Sequence, residues 1–529
     1  MPSADISSLI PIALALSLSL YTRNVIVGLF SGVFVGVLML NGPNPLAGAG
    51  IMVKEHLIPE LTDSYNAGVL ILLAFIGGFV ALVEHSGGGT AFAASINRWV
   101  KSKLQAQIAA WFGGIAIFFS DLGTPLIVGP VFRPLMDRLK ISRQKLAFII
   151  DSTSSPVAIL VPFIGWGVYI MSLIYQEYAA LGIDESEFTA FVRTIPFQFY
   201  AWLAVMMVPL LTLLRFDFGV MAKAEHAAEQ GRIESATTAA EVRLGAENNE
   251  EEEDKEEEED KEEEKTEAQY QAFTHPNARP VLVWAPLLVL ATVLAIMLVP
   301  LGFPFAQVSG TDFRAGLSTA YLAAATLLIV LMAMLKVREV LSSVEVYLKG
   351  MTGMTLVAVT LLLAWALSDI GRMLGAAEYI AAVAQAGLPH WLLPAVVFIL
   401  SAIISFATGS SWGTFAIMLP LVIPTAVAID APLHVCIGAV LSGGLFGDHS
   451  SPISETTILS STGASCPQID HFRTQLPYAL FNGVISLGSF VVAGISGSAL
   501  VILLAVAVQV AGLLMIRRTL GSNGQFAPV

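Results

Sequence analysis

The sequence predicts an all-α polytopic membrane protein of about eleven transmembrane helices plus two re-entrant hairpins, arranged as an inverted repeat with broken helices. Three observations carry this reading. Hydrophobic residues make up 55% of the 529-residue chain and charged residues only 13%, where a soluble domain carries about 25% charged residues. Apolar stretches long enough to cross a bilayer, which takes about 20 residues, recur along the chain. Two further apolar stretches are split in the middle by Gly, Ser, Thr and Pro, and the residues at the two splits match each other.

Spans are expected near 7–22, 24–41, 66–85, 143–175, 194–215, 281–300, 316–335, 345–368, 432–463, 476–495 and 498–516. The split stretches are 105–138 and 391–429. Arms of about 15 to 17 residues rise roughly 22 to 26 Å, short of the ~30 Å hydrocarbon core. That predicts hairpins with their tips near mid-membrane. No basic region precedes the first apolar run, so no cleavable signal is expected.

Basic residues orient the chain by the positive-inside rule. Arg98, Lys101 and Lys103 precede the first hairpin, and Arg133, Arg138, Lys140, Arg143 and Lys145 follow it. Arg215, Lys223, Lys336, Arg338, Arg517 and Arg518 mark later cytoplasmic returns, while Glu177, Asp184, Glu185 and Glu187 suit the outside. The second hairpin, flanked by Pro389 and Asp430, lacks basic ends and is expected to open outward. The expected location is the cell inner (plasma) membrane, with the N-terminus outside and the C-terminus inside.

Four regions follow: a first membrane half over 1–215 with the inner hairpin, a polar linker over 216–279, a second half over 280–518 with the outer hairpin, and a tail over 519–529. The net charge of -14 is concentrated in the linker, where 247–267 holds 15 acids and three lysines. Like charges repel and stay solvated, so a disordered cytoplasmic tether is expected. Cys436 and Cys466 show neither metal-ligand spacing nor a disulfide framework.

The two halves share an ordered set of motifs. Phe119–Ser120–Asp121–Leu122–Gly123–Thr124 matches Gly409–Ser410–Ser411–Trp412–Gly413–Thr414, and Pro130 and Pro420 follow at equal spacing. After each hairpin comes a span interrupted by Ser–Ser–Pro: Asp151–Ser152–Thr153–Ser154–Ser155–Pro156 and Asp448–His449–Ser450–Ser451–Pro452. An inverted repeat of discontinuous helices is the sequence signature of a secondary transporter. It argues against a channel, and no nucleophile–base pair, metal motif or nucleotide fingerprint supports an enzyme.

Ionisable groups inside a membrane are costly and mark function by default. The candidates for ion or proton binding are Asp151 and Asp448 first, then Asp121 and Glu455, with His449 as a proton relay. Broken helices also expose backbone carbonyls and N–H groups. Backbone and hydroxyls at Gly123, Thr124, Ser152, Thr153, Ser154, Ser155, Thr408, Gly409, Ser410, Ser411, Gly413, Thr414, Ser450 and Ser451 complete a hard oxygen set suited to Na⁺. A carboxylate in a poorly solvated site can hold a proton at near-neutral pH and trade it for a cation. Structural readings stand beside these: an Asp before Ser–Ser–Pro can cap the next half-helix, and a first-turn Glu455 can answer the helix dipole. Glu84 and Asp369 occupy equivalent helix ends and fit an interfacial place. Trp412 either plugs the cavity or fills it.

The stretches Thr408–Gly409–Ser410–Ser411–Trp412–Gly413–Thr414 and Gly447–Asp448–His449–Ser450–Ser451–Pro452–Ile453–Ser454–Glu455–Thr456–Thr457–Ile458 resemble the signatures of the NhaC-type sodium/proton antiporter family, a member of the ion-transporter superfamily. The resemblance covers nearly the whole chain except the acidic linker. It implies Na⁺/H⁺ antiport with no cofactor, a homodimer, and an elevator in which a transport unit carrying both hairpins and both broken helices moves against a scaffold. It also leaves a second cargo open, because some relatives move amino acids or small organic carboxylates, which a Ser/Thr-rich tip could hold.

Overall fold

The computed structural model describes residues 5–97, 100–231, 273–303, 308–387 and 389–522. Their regular structure is entirely helical. Arg98, most of the expected linker with its acidic tract, and the end of the expected tail lie outside the described residues.

Among the described residues, eight helices are long and apolar enough to cross a membrane, or ten if two bent pairs each count as one span. The expected eleven excluded the hairpins, whereas these counts include both arms of the second one; of the expected spans, Ile6–Thr22 is too short and two others are broken. The stretch 143–175 is divided into Arg143–Asp151, Ser155–Ala158 and Gly165–Leu181. The stretch 432–463 is divided into Leu433–His449 and Glu455–Ala464. Each piece alone is too short to register as a span. The hairpin arms differ from each other as well. Lys103–Ala116 and Gly123–Arg138 have 14 and 16 residues. His390–Thr408 and Ser411–Ala428 have 19 and 18, longer than expected and each long enough to cross.

The helical pieces between Pro45 and Thr62, and the helices Gly88–Asn97, Glu187–Thr194, Gly219–Glu229 and Ala376–Gly387, were not expected. The first of these departs by 105° from Val25–Asn41. The turn passes through Gly42 at φ +102°, a backbone region that glycine enters without a Cβ penalty.

The helices pack in three sets. Ser64–His85, Val281–Leu298, Gly310–Met334 and Val340–Gly353 pack on one another, as do Ile10–Thr22, Val25–Asn41 and Thr355–Leu374. The hairpins pack on the broken helices: Gly123–Arg138 lies against Arg143–Asp151 and Glu455–Ala464, and both arms of the second hairpin lie against Leu433–His449. Phe199–Leu214 and Gln468–Ser496 pack into this hairpin set. Small residues allow the closest approach, the usual route to tight helix packing in lipid. A Cβ on Gly129 would sit 2.4 Å from the backbone of Gly463, and one on Gly463 would sit 2.3 Å from the Pro125 carbonyl oxygen.

A polar clasp ties the start of the first broken helix to the first residues of the 216–279 segment. The buried Lys145 ammonium lies 2.5 Å from Asp217 Oδ1, which also accepts from the Tyr478 hydroxyl at 2.6 Å. Glu225 Oε1 accepts from the N–H and hydroxyl of Ser142 at 2.8 and 2.5 Å. Lys103 pairs with Glu229 at 2.7 Å. Burial, then the charge of Asp217, push the Glu225 carboxyl up to about 7.

Candidate ion-binding site

The two hairpin tips repeat one hydrogen-bond pattern. Ser120 Oγ accepts from the Gly123 N–H at 2.8 Å, and Thr124 Oγ1 donates to the Ser120 carbonyl at 2.8 Å. In the second tip, Ser410 Oγ accepts from the Gly413 N–H at 3.3 Å, and Thr414 Oγ1 donates to the Ser410 carbonyl at 2.9 Å. Each serine thus caps the helix that follows it, satisfying a backbone donor a helix start leaves free. Prolines repeat too, at 130 and 134 in one arm and 420 and 424 in the other. At the first tip, Ser120 Oγ donates to Glu84 Oε1 at 2.6 Å. Glu84 therefore touches the hairpin rather than standing apart at a helix end.

Between the tips stands an aromatic group. Trp166, from the first turn of Gly165–Leu181, donates Nε1–H to Asp121 Oδ2 at 2.9 Å. Its ring centre lies 5.0 Å from that of Trp412. The Tyr169 hydroxyl donates to the Trp412 carbonyl at 2.7 Å.

The breaks bring Asp151 and Asp448 into one buried polar cluster. Asp151 ends its half-helix and Asp448 is next to last in Leu433–His449. Both therefore stand at the helix end that disfavours an anion. Neither supplies a cap bond to the half-helix that follows, so capping does not account for them. Their partners are side chains. Asp448 accepts from Ser411 Oγ at 2.9 Å and from Ser454 Oγ at 2.5 Å. Asp151 Oδ2 accepts from Gln475 Nε2 at 2.6 Å and lies 3.2 Å from His471 Nε2, 3.5 Å from Thr457 Oγ1 and 3.9 Å from His449 Nε2. His449 Nδ1 meets the Tyr200 hydroxyl at 2.8 Å, and the His449 carbonyl accepts from Gln475 Nε2 at 2.6 Å.

Asp151 is fully buried, and its Oδ1 has no hydrogen-bond partner. The same holds for Ser152 Oγ, Ser155 Oγ, Ser460 Oγ and Gln475 Oε1. Buried polar atoms are ordinarily paired, so unpaired oxygens along the breaks fit a hard cation or a proton as cargo. The remaining candidate hydroxyls are turned to backbone: Thr153 to Ile149, Ser154 to Asp151, Thr408 to Ile404, Ser450 to Phe446 and Ser451 to Phe406. Gly409 ends its arm at φ +65°. Glu455 opens its helix with an exposed side chain and makes none of these bonds.

Trp166, Tyr200, Ser454, Thr457, His471 and Gln475 were not among the residues singled out from the sequence. His471 and Gln475 did carry a signal, since residues four apart share one helix face. The expected span began at 476, which set both aside as loop.

Hairpins, broken helices and a buried carboxylate cluster define a multi-pass secondary transporter. The chain belongs to the Na⁺/H⁺ antiporter family, whose model matches residues 157–495. An uncharacterized protein of Haemophilus influenzae is 32% identical over 519 residues, covering 94% of this chain and 92% of that protein. The arginine/ornithine antiporter ArcD of Halobacterium salinarum is 37% identical over 110 residues, 20% of this chain and 23% of its own length. In fold, the chain is similar to the YdaH transporter of Alcanivorax borkumensis, with a TM-score of 0.52 at 15% identity over 86% of this chain and 90% of that one.

Proposed function

We propose that this chain exchanges Na⁺ for H⁺ across the cell inner membrane, with Asp151 and Asp448 as the carboxylates on which the two ions compete. The observation that carries this reading is the Gln475 amide, which joins the Asp151 carboxylate to the His449 carbonyl next to Asp448, beside buried oxygens that lack partners. Asp448 contributes an oxygen set of carboxylate plus the Ser411 and Ser454 hydroxyls, which can turn their lone pairs to a cation. Asp151 contributes a carboxylate with one free oxygen and two imidazoles nearby. Asp121 is the next carboxylate along, at the first tip.

The hairpins and broken helices form the moving unit, which slides as an elevator against the group containing Ser64–His85 and Gly310–Met334. A homodimer would hold the group containing Ser64–His85 still. The segregation of the site residues into one packed group supports this division. Serine caps on both tips weigh against an organic carboxylate at those N–H groups.

The test is transport by the purified chain in proteoliposomes carrying a pH-sensitive dye. An imposed Na⁺ gradient should drive proton movement, and Asp151→Asn with Asp448→Asn should abolish it. Proton movement that ignores the Na⁺ gradient would sink the proposal.

A further inference from the structure

We propose that the Trp166–Trp412 pair is the specificity element of this transporter, closing the gap between the two hairpin tips so that only a small inorganic ion is admitted. The inference rests on the Na⁺/H⁺ reading and adds a determinant of cargo size to it. Trp412 lies in the second tip and Trp166 belongs to neither hairpin, yet Trp166 contacts both. Its indole N–H is given to Asp121 in the first tip, and its ring packs on Trp412 in the second. Tyr169 braces the same ring edge-on at 4.7 Å and holds the Trp412 backbone through its hydroxyl. Phe415 closes the far side of Trp166 at 6.1 Å.

Trp166 is only 3% exposed, whereas Trp412 is half-buried. Trp412 is therefore the outer member and Trp166 the inner one, standing directly over a carboxylate. Two large rings spend the volume in which the body of an organic cargo would sit. The polar groups around them offer such a cargo little. Asp121 Oδ2 is taken by the indole, and the Gly123 and Gly413 N–H groups at the tips are taken by Ser120 and Ser410. A dehydrated cation needs only oxygen atoms and no such volume.

Truncating one buried leucine opens about 150 Å³, which admits a benzene-sized guest. An indole is larger than a leucine side chain, so Trp412→Ala opens room for a small carboxylate or amino acid. Contacts of this kind discriminate by about 10- to 200-fold.

The experiment reconstitutes the full chain and its variants Trp412→Ala, Trp412→Leu and Trp412→Phe. Na⁺-driven proton movement is read beside uptake of radiolabelled lactate, malate, arginine and ornithine. Wild type and Trp412→Phe should exchange Na⁺ and exclude all four. Trp412→Ala, or Trp412→Leu if the alanine variant fails to fold, should raise uptake of at least one organic by about tenfold or more while keeping Na⁺ exchange. Folded variants that exclude all four organics as wild type does overturn the inference and leave the Na⁺/H⁺ reading standing. Folded variants that lose Na⁺ exchange overturn it too, since a size filter is dispensable to its own cargo, as does unfolding of both variants. Organic uptake by wild type removes both the filter and the Na⁺/H⁺ reading.

Discussion

Gln475 joins the two helix breaks: its single amide nitrogen donates to Asp151 Oδ2 and to the carbonyl of His449, both at 2.6 Å. Asp151 belongs to one break and His449 to the other. Both hydrogens of the amide are thereby committed, one to each half of the repeat. Any displacement of one break against the other must lengthen one of these bonds.

Gln475→Leu removes the shortest donor to Asp151 and leaves the His449 carbonyl unpaired. Losing a buried partner of this kind costs about 1–3 kcal/mol. The variant should melt at lower temperature in detergent than wild type and exchange ions far more slowly. Wild-type melting and transport in Gln475→Leu would show that the bridge does not matter.

Asp→Asn exchanges at 151, 448 and 121 separate shape from charge. Asn keeps the side-chain outline and one acceptor oxygen but cannot bind or release the proton. Asp151→Asn and Asp448→Asn should be folded and inactive, and the corresponding Asp→Glu variants should retain partial activity with a shifted pH profile. Near wild-type transport in both Asn variants would dismiss these carboxylates as the exchange site and leave Asp121 to be tested in their place.

Gly129 and Gly463 bring a hairpin arm against a broken-helix half at backbone contact. Gly129→Ala or Gly463→Ala places a methyl group about 2.4 Å from main-chain atoms that no rotamer can move. Overpacking typically costs about 1–3 kcal/mol. Each variant should show a lowered melting temperature, whereas Gly50→Ala, where a Cβ meets nothing within 4 Å, should not.

Glu225 makes stability depend on pH. Its carboxyl is raised to about 7 from an ordinary value of 4.5, so the folded chain holds a proton that the unfolded chain has already released. The stabilisation is complete below about 4.5 and disappears as pH rises through about 7. Glu225→Gln removes this dependence. Its melting temperature should fall less than that of wild type between about pH 5 and pH 8. Parallel curves for the two proteins would contradict the assignment.

Deleting 247–267, the tract that holds most of the net negative charge, should leave folding and ion exchange nearly unchanged. Such sequences bury too little apolar surface to contribute to a core. Failure of the deleted chain to insert, scored by protease protection in membrane vesicles, would assign the tract a structural role.

The tips were legible in the sequence because their geometry is local. Ser120, Gly123 and Thr124 hydrogen-bond within a few residues of one another, as do Ser410, Gly413 and Thr414, so a motif match translates directly into a bond match. The breaks were legible for the same reason, through Ser–Ser–Pro. The residues completing the site were not, because their bonds cross the chain. Gln475 and His471 fall before the span expected from 476, and only the fold sets them on Asp151. Trp166 lies within the expected span 143–175 with no motif of its own, and only the fold sets it between Asp121 and Trp412. Glu455 differs from its neighbours in the motif: they are buried, whereas its own side chain is exposed.

The separation between Asp151 and Gln475, 324 residues, also bears on how the protein is made. Translation at about 5–20 residues per second delivers Gln475 roughly 15 to 65 s after Asp151. The serine caps of the first tip span only a few positions and can close as soon as that hairpin leaves the ribosome. Asp151 has no such local partner for its carboxyl group. An ionisable side chain alone in lipid is expensive, so the early half of this chain must shelter that carboxyl during biogenesis, against water, the insertion machinery or a waiting partner, until the last third of the polypeptide arrives.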